Sequence, residues 1–152
     1  MFSLMQTVLA FVVTLGVLIF VHEFGHFWVA RRCGVRVLRF SIGFGQPLLK
    51  WKDRHDTEFV IAALPLGGYV KMMGEPGSEV PEHQKAQSFA HKTVFQRFAI
   101  VAAGPLVNLL FAVFLYWMLF LSGITSLAPV VGNVIPGSLA EKAGFQKMEE
   151  VI

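Results

Sequence analysis

Charge is scarce in this chain. Only 15% of its 152 residues are Asp, Glu, Lys or Arg, against 55% hydrophobic, and residues 1–21 carry no charge at all. So apolar a composition fits an integral membrane protein better than a soluble domain. No basic residue precedes the first apolar run, and the run outlasts the core of a secretory leader, so it reads as a retained span. Cysteine is nearly absent too. Cys33 alone cannot close an intramolecular disulfide, and with no second Cys nearby it reads as a small, partly buried apolar residue rather than a ligand. No internal repeat is present.

The basic residues that do occur are confined. Eleven of the 13 Lys and Arg fall within residues 31–97, against six acidic residues there, a local net charge of about +5. This is the positive-inside mark of a cytoplasmic loop, not a surface for nucleic acid, and no nucleic-acid partner is expected. Apolar spans flank the loop, residues 4–30 before it and 98–121 after it. At about 1.5 Å per residue each can cross a hydrocarbon core of about 30 Å. The loop charge then puts the N-terminus, and all that follows residue 121, on the outer side.

Inside the first span lies His22-Glu23-Phe24-Gly25-His26. Residues four apart on a helix share a face, so two imidazoles can reach one zinc ion. Glu23, one position round, is placed to act as general base on an attacking water. Such residues are costly to bury in lipid and are functional candidates for that reason. Arg31 marks the cytoplasmic interface, so His26 and His22 lie roughly 7 and 13 Å of helix rise into the membrane. His55, His83 and His91 fall in polar loop sequence and read as solvated.

Within the loop, residues 58–64 read as a strand, Pro65-Leu66-Gly67-Gly68 as a turn and residues 69–73 as a second strand. Phe40-Ser-Ile-Gly-Phe-Gly45 is a further short, apolar, glycine-punctuated segment. These strands are too apolar for free cytosol and too short to span, so they enter the membrane only if protein shields their backbone. Residues 75–92 read as a polar, solvated connector, and Gly104-Pro105 as a kink or a close helix approach.

The chain resembles the site-2 protease family of intramembrane zinc metalloproteases. The resemblance rests on the stretch from Val21 through His22-Glu-Phe-Gly-His26 to Gly34, on Phe40-Ser-Ile-Gly-Phe-Gly45, on Leu64-Pro-Leu-Gly-Gly-Tyr-Val-Lys-Met72 and on Ala103-Gly-Pro-Leu-Val-Asn108. It implies a mainly α membrane protein of the bacterial inner membrane. Two transmembrane helices (in 1–30 and 98–121) would flank a membrane-associated β-hairpin loop (31–97), with the start of a periplasmic PDZ domain after them (122–152). It also implies Zn2+ as cofactor, His22 and His26 as ligands and Glu23 as catalytic base. Gly67, Gly68, Tyr69, Val70, Lys71 and Met72 would pair with substrate as an added strand, which exposes a scissile carbonyl that a helix hides. Asn108 would hydrogen-bond near substrate or zinc, or else make an interhelical polar contact. Besides the lipid bilayer, the implied partner is a membrane-protein substrate of the single-pass anti-sigma-factor type, cleaved during envelope stress.

The chain departs from the family in two places. The PDZ-like stretch Val130–Gly144 lacks the usual Gly-Asp and is followed by Lys147-Met-Glu-Glu150, with the sequence stopping at Ile152. More telling, the family's third zinc ligand is an Asp in Leu-Asp-Gly, and neither aspartate here, Asp53 nor Asp56, precedes a glycine. The expectation is that the 152 residues are the front part of a longer protein and inactive alone. The competing class is a non-catalytic membrane receptor or adaptor, against which the retained Glu23 argues.

Overall fold

The computed structural model describes residues 3–76, 80–123 and 133–144. Its first element is α1, Leu4–Arg32. Ser3 caps it reciprocally: its hydroxyl accepts from the Gln6 N–H (3.3 Å), and the Gln6 side chain accepts from the Ser3 N–H (2.9 Å). The far end closes on Gly34, at φ +69°, where a left-handed residue is needed. The Gly34 N–H bonds the Arg31 carbonyl (3.0 Å) and the Val35 N–H the Ala30 carbonyl (2.9 Å), the Schellman pattern. Arg31 and Arg32 stand in the last turn, where the helix dipole favours cations. Their guanidinium groups lie over the rings of Phe27 and Trp28, 4.5 and 5.0 Å from the centroids.

β1 (Val37–Lys52) and β2 (Glu58–Met72) form one antiparallel two-stranded sheet. Both strands bend, so residues 39–42 of β1 are flanked on both sides by β2: by 68–71 along one edge and by 58–61 along the other. The hairpin turn is therefore at residues 53–57. There Asp53 accepts from the N–H groups of His55 (2.8 Å) and Thr57 (3.0 Å), and Asp56 takes φ 59°. Pro65-Leu66-Gly67-Gly68 lies inside β2, at the bend where the chain reverses between 58–61 and 68–71, and Phe40–Gly45 is part of a 16-residue strand. The glycines serve bends and close approaches. At Gly43, φ +87°, a Cβ would stand 2.7 Å from the Leu64 carbonyl oxygen.

Within the expected connector, residues 80–92 are largely solvated yet fastened to the hairpin. Two short 3-10 helices, Glu82–Gln87 and Phe89–His91, lie there, and Ser88 between them is fully buried. Backbone bonds tie the segment to the hairpin: Phe89 N–H to Met73 (2.7 Å), Arg36 N–H to Gln87 (3.0 Å) and Met73 N–H to Arg36 (2.9 Å). α2, Val94–Leu121, then begins behind Thr93, whose hydroxyl and N–H pair with Gln96 as Ser3 pairs with Gln6. Pro105 lies inside it.

The core joins α1, the hairpin and α2 through Phe27, Ala30, Val35, Val37, Phe40, Met72 and Ile100. Phe27, Phe40 and Phe59 form a triangle with centroids 5.4–5.6 Å apart, each contact worth about 0.5–1.5 kcal/mol beyond burial. Both long helices otherwise present exposed apolar side chains, among them Leu4, Phe11, Phe98 and Phe120. Each is long and apolar enough to cross a membrane, and lipid is the solvent such surfaces require.

The chain divides into two compact units, residues 1–115 and 116–152. All of the core and the site described below belong to the first. In the second, beyond the end of α2, Ser138 caps a single turn, α3 (Leu139–Lys142). Of the expected PDZ start at 122–152, residues 124–132 and 145–152 lie outside the described residues.

Candidate active site

The sheet, α1 and α2 converge on His22, Glu23 and His26. Helical spacing puts both histidines on one face, with their Nε2 atoms 3.3 Å apart. Each ring is held at its other nitrogen by α2. His26 Nδ1 donates to the Ile100 carbonyl at 2.7 Å, and His22 Nδ1 lies 3.3 Å from the Asn108 amide nitrogen. Both Nε2 atoms thus point at one place.

That spacing can be tested against zinc. With Zn–N of about 2.0–2.1 Å and tetrahedral angles, two imidazole nitrogens on one ion lie about 3.3–3.4 Å apart. The His22–His26 pair meets this without movement. Such a pair could supply two of the three protein ligands that a catalytic zinc requires. Among the described residues no group of three or more His, Cys, Asp or Glu side chains could hold a metal. Cys33, at the C-terminal cap of α1, is a free thiol and stands apart from the pair.

Glycine makes the convergence possible. At Gly104 of α2 a Cβ would stand 2.3 Å from His26 Nε2, and at Gly25 of α1 a Cβ would meet the Ala103 carbonyl oxygen at 2.7 Å. The two helices therefore touch through backbone, as small residues allow in membranes. Gly104 answers the expectation of a close approach at Gly104-Pro105. The partner carbonyl of Ile100 left no trace in the sequence, since every residue has one.

Glu23 is buried, 9% exposed, beneath the hairpin. At Gly68 a Cβ would meet the Ser41 carbonyl at 2.7 Å, Glu23 Cγ at 2.8 Å and Ile19 Cγ2 at 3.0 Å. Two clefts open beside this contact, and both are lined by Glu23 and Gly68. One, about 280 Å³, continues over His26, Tyr69, Val70 and Ile100. The other, about 320 Å³, runs past His22, Phe44, Gly67 and Asn108. Residues 68–72 pair with β1 along one edge, and among the described residues no strand occupies the other.

The remaining members of the sequence-derived set are placed differently. Tyr69 is turned into the hairpin, where its hydroxyl accepts from Arg39 at 3.2 Å and its ring stacks on Phe44. Lys71 is exposed. Met72 is buried in the core, and its N–H donates to Glu75 Oε1 at 3.0 Å, so it anchors the strand and offers no donor along the edge. Val70 packs on the core from the cleft side.

A second polar cluster fastens the hairpin to the last turn of α1. The Arg31 guanidinium pairs with Asp53 and donates to Thr57 Oγ1 at 2.9 Å, and that hydroxyl donates to the Val37 carbonyl at 2.8 Å. Partial desolvation pushes the Asp53 carboxyl up, but Arg31 and the N–H groups of His55 and Thr57 outweigh it and hold it below its ordinary value.

Two membrane-length helices thus meet at a histidine pair with a carboxylate one residue along. The comparisons are specific: the chain belongs to peptidase family M50, whose model matches residues 10–151. It is 54% identical over 151 residues to Protease RseP of Yersinia pestis, covering 99% of this chain and 34% of that one. Regulator of sigma-E protease RseP of Salmonella typhimurium is 54% identical over 143 residues (94% of this chain, 32% of the relative). The Escherichia coli K12 protein of the same name is 53% identical over the same length. The chain spans about a third of the length of these curated relatives.

Proposed function

We propose that this chain carries the histidine and glutamate part of the active site of a zinc-dependent intramembrane endopeptidase. One observation carries the reading: two imidazole Nε2 atoms at zinc-ligand spacing lie beside a buried Glu23, directly under the backbone of a strand with an open edge. His22 and His26 hold the metal, and an aspartate outside these 152 residues completes its protein ligands. Zinc bound there supplies Lewis acidity, which favours deprotonation of the attacking water and polarises the scissile carbonyl. Glu23 takes the proton from that water and returns it to the leaving nitrogen. Its burial excludes bulk water that would otherwise compete for the same proton.

The substrate in this reading is a transmembrane segment of a single-pass membrane protein of the anti-sigma-factor type. The names of the relatives favour that class. A helical segment hides its peptide bonds, so it must unwind, and the edge of residues 67–71 offers an extended segment the backbone partners it loses. In the same reading the protein lies in the bacterial inner membrane, with the 31–97 loop cytoplasmic, as its basic charge favours. Spans within 1–30 and 98–121 cross the bilayer, and 122–152 begins a periplasmic PDZ domain.

The test is Glu23→Gln in the full-length protein. Zinc content and substrate binding should persist while cleavage of a model transmembrane substrate disappears. Undiminished cleavage would remove Glu23 from the chemistry.

A further inference from the structure

Asn108 approaches His22 from α2, and its amide is only half accounted for. Its nitrogen lies 3.3 Å from His22 Nδ1, while its oxygen is buried and has no hydrogen-bond partner among the described residues. A buried amide oxygen left unpaired costs about 1–3 kcal/mol. The two ends of the amide exchange by a half-turn about Cβ–Cγ, and the two orientations have opposite consequences for the ring.

With the nitrogen toward the ring, Asn108 donates to Nδ1, the His22 proton must stand on Nε2, and the oxygen stays stranded. With the oxygen toward the ring, the stranded acceptor receives the Nδ1–H, and Nε2 keeps its lone pair. The second orientation moves the amide N–H groups to the far position instead, so burial alone does not choose between the two; only the second leaves both Nε2 atoms, 3.3 Å apart, free to bind a metal. His26 already has this arrangement, with Nδ1 spent on the Ile100 carbonyl. A ligating imidazole fixed at its far nitrogen is the general pattern at metal centres.

We infer that Asn108 is a positioning residue for His22: its amide oxygen accepts the Nδ1 proton and holds the ring in the tautomer whose Nε2 faces His26. The inference rests on the zinc reading above and deepens it. It differs from a role in gripping substrate, because it requires an acceptor at position 108 and no donor.

Three variants of the full-length protein separate these cases, with Zn2+ affinity read by chelator competition and kcat and KM read on one substrate. Asn108→Ala should weaken zinc binding by about 10–100-fold, lower kcat at subsaturating zinc and leave KM within twofold. Asn108→Asp keeps an acceptor and discards the donors, and it should hold zinc at least as tightly as the parent. His22→Ala is the reference and should abolish tight binding. If His22→Ala loses zinc while Asn108→Ala binds it normally, the inference is overturned and the zinc site stands. If Asn108→Asp fails like Asn108→Ala while KM rises, position 108 serves substrate by donation and the inference is again overturned. If His22→Ala binds zinc normally, the zinc reading itself falls, and this inference with it.

Discussion

Replacing Gly104 by alanine sets two physical effects against each other, and the structure says which wins. Secondary-structure propensity favours the change: alanine in a helix interior is better than glycine by about 1 kcal/mol. Geometry opposes it. The added Cβ would stand 2.3 Å from His26 Nε2 and 2.8 Å from both Cδ2 and Cε1. Ordinary contact needs about 3.5 Å, so the ring and helix must separate by roughly 1.2 Å. The ring has little freedom to yield, because Nδ1 is tied to the Ile100 carbonyl at 2.7 Å on the same helix that carries the new methyl. A shift of that size breaks this bond and takes the Nε2 pair off its 3.3 Å spacing. Overpacking of this kind costs about 1–3 kcal/mol, so after the helix gain the net loss of stability is at most roughly 2 kcal/mol. The protein should therefore fold and insert while losing at least about tenfold in zinc affinity, since even the supporting contacts of a ligand are worth that much. Chelator competition on the full-length variant gives the affinity, and thermal unfolding gives the stability. Zinc affinity within twofold of the parent would refute the placement of Gly104 against the metal-facing nitrogen.

Gly68→Ala should have the complementary phenotype. The new Cβ meets the Ser41 carbonyl and Glu23 Cγ within 2.8 Å, so the hairpin must lift from α1. Cleavage should fall by more than tenfold while zinc content is unchanged, and parental cleavage would show that the hairpin need not lie on Glu23. The Asp53 clasp should be acid-sensitive. Its carboxyl is held below the ordinary value, so its contribution is complete above the usual carboxylate range of about 4 and is lost as pH falls through the lowered value. Hydrogen exchange at the His55 and Thr57 amides should therefore accelerate, beyond the intrinsic rate change, as pH drops from 6 to roughly 3. Asp53→Asn should remove that dependence, and an identical pH response in the variant would assign it elsewhere, for instance to Glu58, which is lowered by Arg39 and Lys50 against its own desolvation.

How much of this was legible in the sequence depends on whether the signal was local. The helix that carries His22, Glu23 and His26 was legible because its apolar length and the four-residue spacing of its histidines lie within one segment. The hairpin was half legible. Residues 58–64 and 69–72 are extended as read, the strand ending at Met72, and the chain does reverse near Pro65-Leu66-Gly67-Gly68, though as a bend inside one continuous β2 and not as the hairpin turn. What stayed hidden is the crowding at Gly68. Glycine signals a turn when the backbone needs a positive φ and signals a bare surface when something must come close, and one sequence cannot tell these apart. At Gly68 the second meaning holds, since Ser41, Glu23 and Ile19 crowd the missing side chain. Residues 80–92 hid their fastening in the same way: polar composition suggested solvent, yet Ser88 is buried and Phe89 packs on the core.

The supporting contacts of the site were the least legible, and the reason lies in which atoms make them. His26 is fixed by a backbone carbonyl at Ile100, which no residue type announces, and by the absence of a side chain at Gly104. His22 is approached by a side chain at Asn108, a residue type that the Gly-Pro-x-x-Asn pattern marks without saying what it touches. All three partners lie on α2 within nine residues, so one helix face supports both imidazoles. Pro105 stands between Ile100 and Asn108 and cannot donate to the carbonyl four residues back, at Val101. A helix weakened just there can bend to bring a carbonyl and an amide against two different rings, which a straight ladder of bonds would resist. On this account α2 is the clamp that makes the His22–His26 pair a preformed site. Damage to it at Gly104 or Asn108 should loosen zinc before it loosens the fold.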